Sequence, residues 1–205
     1  TLTDSMPGIA RAVQYALRRF GIDVQDLATL KPFLGPPLRD SFMEFYGMSP
    51  EEADRAVAVS REYFVPRGMF ENELYPGIPE LLAATAAAGR VNVIATSKPQ
   101  PFAERIAAHF GIDRHFRLIS GSTFDGRRKT KADVIRHALS ALGIAPGEAV
   151  MIGDRRHDVE GAAEEGLPAI AVEWGYAPPG ELEAARPLRI VPDVETLRRL
   201  LLENE

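Results

Sequence analysis

The sequence of 205 residues contains no cysteine. That absence excludes disulfide bonds, thiolate nucleophiles, iron–sulfur clusters and zinc sites built on cysteine. No apolar run approaches the roughly 20 residues that span a bilayer, and no basic-then-apolar signal segment opens the sequence. We therefore expect a cytoplasmic protein with no membrane partner.

Basic residues are also fewer than acidic residues. The 24 Lys+Arg residues are outnumbered by 29 Asp+Glu residues, and the net charge is −5. A mildly acidic chain lacks the basic surface that non-specific nucleic-acid binding requires, so we expect no nucleic-acid partner. The sequence also lacks a P-loop, a Gly-x-Gly-x-x-Gly loop and a Gly-x-Ser-x-Gly nucleophile elbow. These absences speak against a P-loop nucleotide site, a dinucleotide-binding site and the serine nucleophile of an α/β-hydrolase.

The first third of the sequence shows helical periodicity and no strand-like alternation. Apolar residues recur at helical spacing between Ile9 and Phe20, and a second helical pattern starts after Pro37. Ser49 and Pro50, followed by two glutamates, are typical of a helix start. We therefore expect this region to be a helical unit.

From Tyr75 onward, helical stretches alternate with short β-branched runs. We predict strands at 91–95, 117–120, 149–152, 169–172 and 189–191, and helices at 78–88, 101–110, 131–142, 159–165 and 194–202. Repeated β–α alternation with apolar strands predicts an α/β core, a doubly wound, Rossmann-like parallel sheet covered by helices on both faces. Residues 203–205 are expected to be a frayed end. Ligands bind such sheets at the carboxyl ends of the strands.

Polar groups follow the first of these strands, where Thr96, Ser97 and Lys98 leave the sheet. Hydroxyl and ammonium groups donate hydrogen bonds to phosphate oxygens, so the segment is a candidate phosphate site. The alternative is that the two hydroxyls only cap the next helix. After the strand at 169–172, the Trp174–Tyr176 segment is a candidate wall of the site.

Two carboxylates follow the strand at 149–152. Asp154 lies at the predicted strand end, and Asp158 lies four residues later, on the first turn of the next helix. Paired carboxylates at the edge of a sheet are hard oxygen ligands suited to Mg²⁺. The alternative for Asp158 is that it only complements the positive end of the helix.

Lysine is rare in this chain. Only four of the 24 Lys+Arg residues are lysines, namely Lys31, Lys98, Lys129 and Lys131. Three of them lie near predicted strand ends, and lysine binds phosphate as a compact point charge. Lys131 opens a predicted helix and is the candidate for the site, although Lys129 and Lys131 are also compatible with solvated surface positions.

Together these strand-end motifs resemble those of the haloacid dehalogenase superfamily of phosphohydrolases. The segment that ends in Thr96-Ser97-Lys98 resembles the second motif, whose hydroxyl binds the transferring phosphoryl group. Lys131 resembles the lysine of the third motif, which steadies the nucleophile and the phosphate. The stretch from Gly153 to Asp158 resembles the fourth motif, whose first acid binds Mg²⁺.

Residues 1–9, 33–38 and 75–78 resemble phosphoglycolate-phosphatase-like members, which carry a helical cap inserted after the first motif. The resemblance implies a cap at 6–74 and a core formed by 1–5 and 75–205. The first motif, Asp-x-Asp-Gly-Thr, supplies the nucleophile and the acid/base in that family, and this sequence begins at its threonine. We expect the missing strand to precede Thr1 and to lie between the strands that end at Ala95 and Ile152.

The resemblance implies a Mg²⁺-dependent phosphatase that hydrolyses a small phosphorylated metabolite through an aspartyl-phosphate intermediate. Thr96 and Lys131 would be catalytic, Ser97 and Lys98 would bind phosphate, and Asp154 and Asp158 would hold the metal. Arg61 and Arg39 are weak candidates for a substrate contact from the cap, and the alternative for each is a position on a solvated helix face. A sugar-phosphate mutase and a non-catalytic phosphate-binding relative remain alternatives, whereas a dehalogenase has no need of the acidic pair. Either a monomer or a homodimer is expected.

Overall fold

The computed structural model describes residues 1–203. Most of the frayed end expected at 203–205 therefore lies outside the described residues. The chain divides into two compact units, one of residues 3–73 and the other of residues 1–2 together with the chain from Leu74 onward. These boundaries differ by at most three residues from the expected division at 6–74. That the first unit acts as a cap stays a prediction.

The unit of residues 3–73 is built on three helices. They are α1 (Met6–Arg19), α2 (Leu38–Tyr46) and α3 (Pro50–Phe64), with 3₁₀ turns at Leu27–Phe33 and Gly68–Phe70. Ser49 caps α3, because its hydroxyl accepts from Glu52 N and its own N–H donates to the Glu52 carboxylate. Val13, Leu17 and Phe42 are fully buried in the core of this unit.

Two short strands lie near the unit boundaries, β1 (Thr3–Asp4) and β2 (Glu73–Leu74). The expectation of a wholly helical region at 6–74 is therefore wrong at its C-terminal end, where β2 lies, whereas β1 precedes that region. Each strand has only two residues, which is too short to produce an alternating pattern in the sequence.

The second unit alternates strands with helices, as expected. Its elements are α4 (Ile78–Ala87), β3 (Val93–Pro99), α5 (Gln100–His109), β4 (Leu118–Ser122), α6 (Lys131–Leu142), β5 (Met151–Gly153), α7 (Arg156–Glu164), β6 (Ala169–Val172), α8 (Glu181–Ala185), β7 (Arg189–Val191) and α9 (Val194–Leu202). β3 ends four residues later than predicted, because its pairing with β4 continues to Pro99. α8 was not predicted, since five residues are too few for a helical period.

Helices cover both faces of the strands. Along β6, Ile170 and Val172 pack in the cluster that contains residues of α4, α5 and α9. Ala169 and Ala171 pack on the other side, with residues of α6, α7 and α8. Successive side chains of a strand point to opposite faces, so this division confirms the doubly wound arrangement. No helix within residues 1–203 is long and apolar enough to cross a membrane.

The strands form parallel ladders, but not one continuous sheet. β3 pairs with β4, and β5, β6 and β7 pair in that order. Within the described residues, β3 and β5 do not pair with each other, so the two ladders stay separate. Every residue of β3 stays partly accessible, whereas β6 is buried throughout.

Candidate active site

Two hydrogen bonds to residues near the end of β3, one to Thr96 and one to Ser97, hold this part of the strand in place. The N–H of Lys98 donates to Thr96 Oγ1 at 3.2 Å, and Ser122 Oγ of β4 donates to the carbonyl oxygen of Ser97 at 2.8 Å. α5 begins after Pro99 without a side-chain cap, so capping by Thr96 or Ser97 is not what the structure shows. The two hydroxyls instead belong to an irregular strand end at the carboxyl edge.

Lys131 is the first residue of α6, and its side chain points inward. Thr130 caps the helix together with Asp133 in a capping box, which fixes the start of α6. The Lys131 ammonium donates to the carbonyl oxygen of Ala95 at 3.1 Å and lies 2.7 Å from Asp158 Oδ1. Lys131 therefore points inward and Lys129 is exposed to solvent, and the catalytic role of Lys131 stays a prediction.

Asp158 lies in the first turn of α7 and is 6% exposed. One carboxylate oxygen pairs with Lys131, and the other accepts from the N–H of Arg155 at 3.1 Å. Asp158 therefore accepts a hydrogen bond at the start of α7, as the sequence alternative proposed, and it also contacts Lys131 directly. Both oxygens already have protein donors, and metal contact by Asp158 stays a prediction.

Asp154 follows β5 and is held by residues from two distant parts of the chain. Its Oδ1 lies 2.9 Å from the Thr1 nitrogen and 2.6 Å from Thr1 Oγ1, and its Oδ2 accepts from the N–H of Tyr176 at 3.1 Å. Burial raises the pKa of Asp154, whereas hydrogen bonds from the Thr1 hydroxyl and the Tyr176 N–H lower it. Because both carboxylate oxygens accept hydrogen bonds, the ionised form of Asp154 is favoured.

This arrangement of motifs matches a known family over most of the chain. Residues 1–172 match the family model for haloacid dehalogenase-like hydrolases. The chain belongs to the haloacid dehalogenase-like hydrolase family.

Individual relatives agree with this membership. A 5'-nucleotidase of Pseudomonas aeruginosa is 47% identical over 98% of this chain and 91% of its own length. The crystal structure of a predicted phosphatase from Clostridium acetobutylicum superposes with a TM-score of 0.95 at 45% identity, covering 100% of this chain and 94% of that one. Tyrosine-protein kinase PtkA of Mycobacterium tuberculosis is 43% identical over 86% of this chain, which spans 60% of its length. Phosphoglycolate phosphatases also occur among the relatives.

The carboxylates fit the hard-oxygen chemistry of Mg²⁺ in this family. Within the described residues, no group of three or more histidine or acidic side chains is close enough to hold a metal ion. Mg²⁺ does not require such a group, because it keeps several waters and is bound through one or two carboxylates plus substrate phosphates. The ionised carboxylate of Asp154 can serve as one such ligand.

Lys98 adds a second amine at the end of β3. Its side chain is partly buried, and desolvation lowers its pKa to about 8. Arg61 lies on α3 with an exposed side chain, and Arg39 pairs with Asp54 at 2.7 Å. The substrate roles expected for Arg61 and Arg39 stay predictions.

Several site contacts were not predicted from the sequence. Trp174 Nε1 donates to the Thr1 carbonyl oxygen at 2.9 Å, so the segment expected as a wall holds both Thr1 and Asp154. Arg155 is held by Glu181 of α8, with 2.8 Å between Nε and Oε1. The Trp-Gly-Tyr sequence after a strand pointed to the contact of Trp174 with Thr1, whereas no sequence pattern indicated that Glu181 would bind Arg155.

Proposed function

We propose that this protein is a Mg²⁺-dependent phosphatase that hydrolyses a small phosphomonoester. The observation that carries the proposal is that one unit holds a carboxylate at the end of β5, Asp154, and a largely buried lysine, Lys131, whose ammonium contacts the Ala95 carbonyl oxygen of β3. Family membership and the phosphatase relatives support the same reaction class. The site is expected to work in the cytoplasm, in a monomer or a homodimer.

Phosphate binding is assigned to the end of β3 and the start of α6. Thr96 and Ser97 offer hydroxyl donors, and Lys131 and Lys98 offer ammonium groups. In phosphoryl transfer, charge develops on the equatorial oxygens, so fixed positive groups stabilise the transition state. The contact of Lys131 with Asp158 and Ala95 keeps this ammonium in place before the substrate arrives.

The metal is assigned to Asp154, with Asp158 as the second predicted residue. When bound, Mg²⁺ would neutralise charge on the phosphate oxygens and orient them. Asp154 would supply a direct carboxylate ligand. Because Asp158 is engaged with Lys131 and Arg155, its contribution would come through a metal-bound water.

The aspartate nucleophile and the acid/base are assigned to a strand that precedes Thr1. β3 and β5 each leave one edge without a partner among the described residues, and unpaired backbone groups are costly when buried. A strand between them would end beside Asp154, where Thr1 lies.

The reaction then takes two steps. A carboxylate oxygen of the nucleophile attacks phosphorus, and the substrate oxygen leaves as an alcohol with a proton from the second aspartate. Water next attacks the aspartyl-phosphate, releasing inorganic phosphate and restoring the carboxylate. The helical unit of residues 3–73 would act as the cap that excludes bulk water and selects the substrate, with Arg61 as a candidate contact.

Water labelled with ¹⁸O separates the hydrolase from its alternatives. A hydrolase releases inorganic phosphate that contains the label, since water attacks the intermediate. A sugar-phosphate mutase, or a kinase such as the relative PtkA, transfers the phosphoryl group to an acceptor without incorporating the label. A non-catalytic phosphate-binding relative would give no turnover.

The metal assignment is tested by Asp154→Asn. This change keeps the side-chain shape and removes the charge, so we expect metal-dependent turnover to be lost and the circular-dichroism spectrum to be unchanged. Arg198→Gln, at an exposed pair on α9, is the control and should retain activity. An Asp154→Asn variant with unchanged Mg²⁺ dependence would show that the assignment is wrong.

A further inference from the structure

Three glycines of the α/β unit each lie directly against a charged residue of the site. A Cβ added at Gly175 would come within 3.0 Å of the Asp154 side chain, and one added at Gly153 would come equally close to Asp158. A Cβ added at Gly161 would lie 2.8 Å from Cβ and Cγ of Lys131. Real side chains essentially never approach so closely, so these charged residues occupy space that only glycine leaves open.

Gly161 lies inside α7, where glycine is a poor choice for the helix itself. Its position is explained by the close approach of α6, because the stem of Lys131 passes over it. From there the Lys131 ammonium reaches both Asp158 and the Ala95 carbonyl oxygen. A side chain at position 161 would displace the Lys131 stem and the start of α6.

Gly175 plays the corresponding part for Asp154. Its neighbour Tyr176 donates an N–H to Asp154 Oδ2, and its other neighbour Trp174 donates to the Thr1 carbonyl oxygen. The absence of a Cβ at position 175 lets this segment come close enough to make both contacts. A methyl group there would displace the carboxylate from its present orientation.

The two contacts act on different parts of the site. Lys131 and Asp158 form one hydrogen-bonded group with Ala95, and Asp154 forms another with Thr1 and Tyr176. Each glycine touches one group, so a substitution at either position should disturb that group first.

We infer that Gly161 and Gly175 are positioning residues for two separate functions, Gly161 for phosphate binding through Lys131 and Gly175 for Mg²⁺ binding through Asp154. The inference rests on the proposed function, which assigns phosphate to Lys131 and metal to Asp154. According to this inference, two glycines, which have no polar side chain, help to determine what the site binds.

The test compares Gly161→Ala and Gly175→Ala in the full-length protein. The control is Gly147→Ala, since a Cβ at Gly147 would meet nothing within 4 Å. Isothermal titration calorimetry measures the dissociation constants of Mg²⁺ alone and of inorganic phosphate alone. We expect Gly175→Ala to weaken Mg²⁺ binding by about 10- to 100-fold, as for other groups that orient a ligand, and to leave phosphate binding unchanged.

Gly161→Ala should show the reverse pattern. We expect phosphate binding to weaken on the order of tenfold, since one charge-assisted hydrogen bond is displaced, and Mg²⁺ binding to weaken much less, since Asp154 keeps its own contacts. A general structural role would weaken both ligands in both variants. Equal losses in both variants, or no loss in either, would overturn the inference.

Two further measurements keep the outcomes separable. If Gly175→Ala does not fold, the same change is made together with Asp154→Gly; recovery of folding supports the contact, and continued failure overturns it. Asp154→Asn and Lys131→Ala test the proposed function itself. If these two variants keep Mg²⁺ and phosphate binding, the proposed function fails; if they lose it while the glycine variants do not, only this inference fails.

Discussion

The Lys131 ammonium lies 2.7 Å from Asp158 Oδ1, with side-chain exposures of 12% and 9%. The same ammonium donates to the Ala95 carbonyl oxygen, so one lysine links the start of α6, the first turn of α7 and the body of β3. A buried pair of this kind contributes little net stability, but it is costly to leave half of it unpaired. It therefore fixes where the ammonium lies.

Asp158→Asn should destabilise the protein by about 3 kcal/mol, because it leaves the Lys131 charge buried without its partner. Urea unfolding measures the change. Arg198→Gln, at an exposed ion pair with Glu195, is the control and should cost less than about 1 kcal/mol. A loss for Asp158→Asn no greater than that of the control would contradict the structural importance of the pair.

Lys131→Ala should lower kcat on the order of 10²-fold or more, because a positive group aimed at the transition state is removed. Lys129→Ala is the matched control two residues away and should leave kcat unchanged, since Lys129 is exposed. Steady-state kinetics of both variants provide the measurement. Similar losses in the two would mean that bulk charge, not position, is responsible.

Phosphate binding should weaken as the pH rises through about 8, because the Lys98 ammonium deprotonates there. The inhibition constant of inorganic phosphate between pH 6 and 10 measures this change. Lys98→Arg should flatten the profile above pH 8, since arginine stays charged. A profile unaffected by Lys98→Arg would remove Lys98 from the phosphate site.

The same lysine has a consequence for stability. Its pKa in the folded protein, about 8, lies below the usual lysine value of 10.5, so the unfolded state binds more protons between these two values. The free energy of unfolding contributed by this group should therefore rise with pH across that window. Lys98→Arg should remove the rise in urea titrations at pH 8 and pH 10, whereas a persistent rise would trace to other groups.

Thr96→Val should raise KM for the phosphomonoester and cost about 1 kcal/mol of stability, because the hydroxyl accepts from the Lys98 N–H at the strand end. Thr96→Ser retains the hydroxyl and serves as the control. Kinetics and thermal unfolding report the two effects separately. If Thr96→Ser loses as much as Thr96→Val, the methyl group matters and the hydroxyl does not.

Much of the fold is predictable from local patterns. α6, β6, β7 and α9 begin and end at the residues expected, because their apolar periodicity and capping residues act within a few positions. The strand-end rule also proposed Thr96 and Asp154 as site residues, since carboxyl ends of parallel strands meet at one edge, and their roles stay predictions. Short elements such as β1, β2 and α8 were missed because they have too few residues for a period.

By itself, the sequence determined the α/β class, the order of the motifs and the residues that carry charge at the strand ends. Only the tertiary structure decided which of those charges touch: that Asp158 pairs with Lys131, that Asp154 meets Thr1 and Tyr176, and that glycines leave room for them. These contacts join residues up to 153 positions apart. Local periodicity carries no information about such distances, because packing and desolvation select the partners only once the strands and helices have assembled.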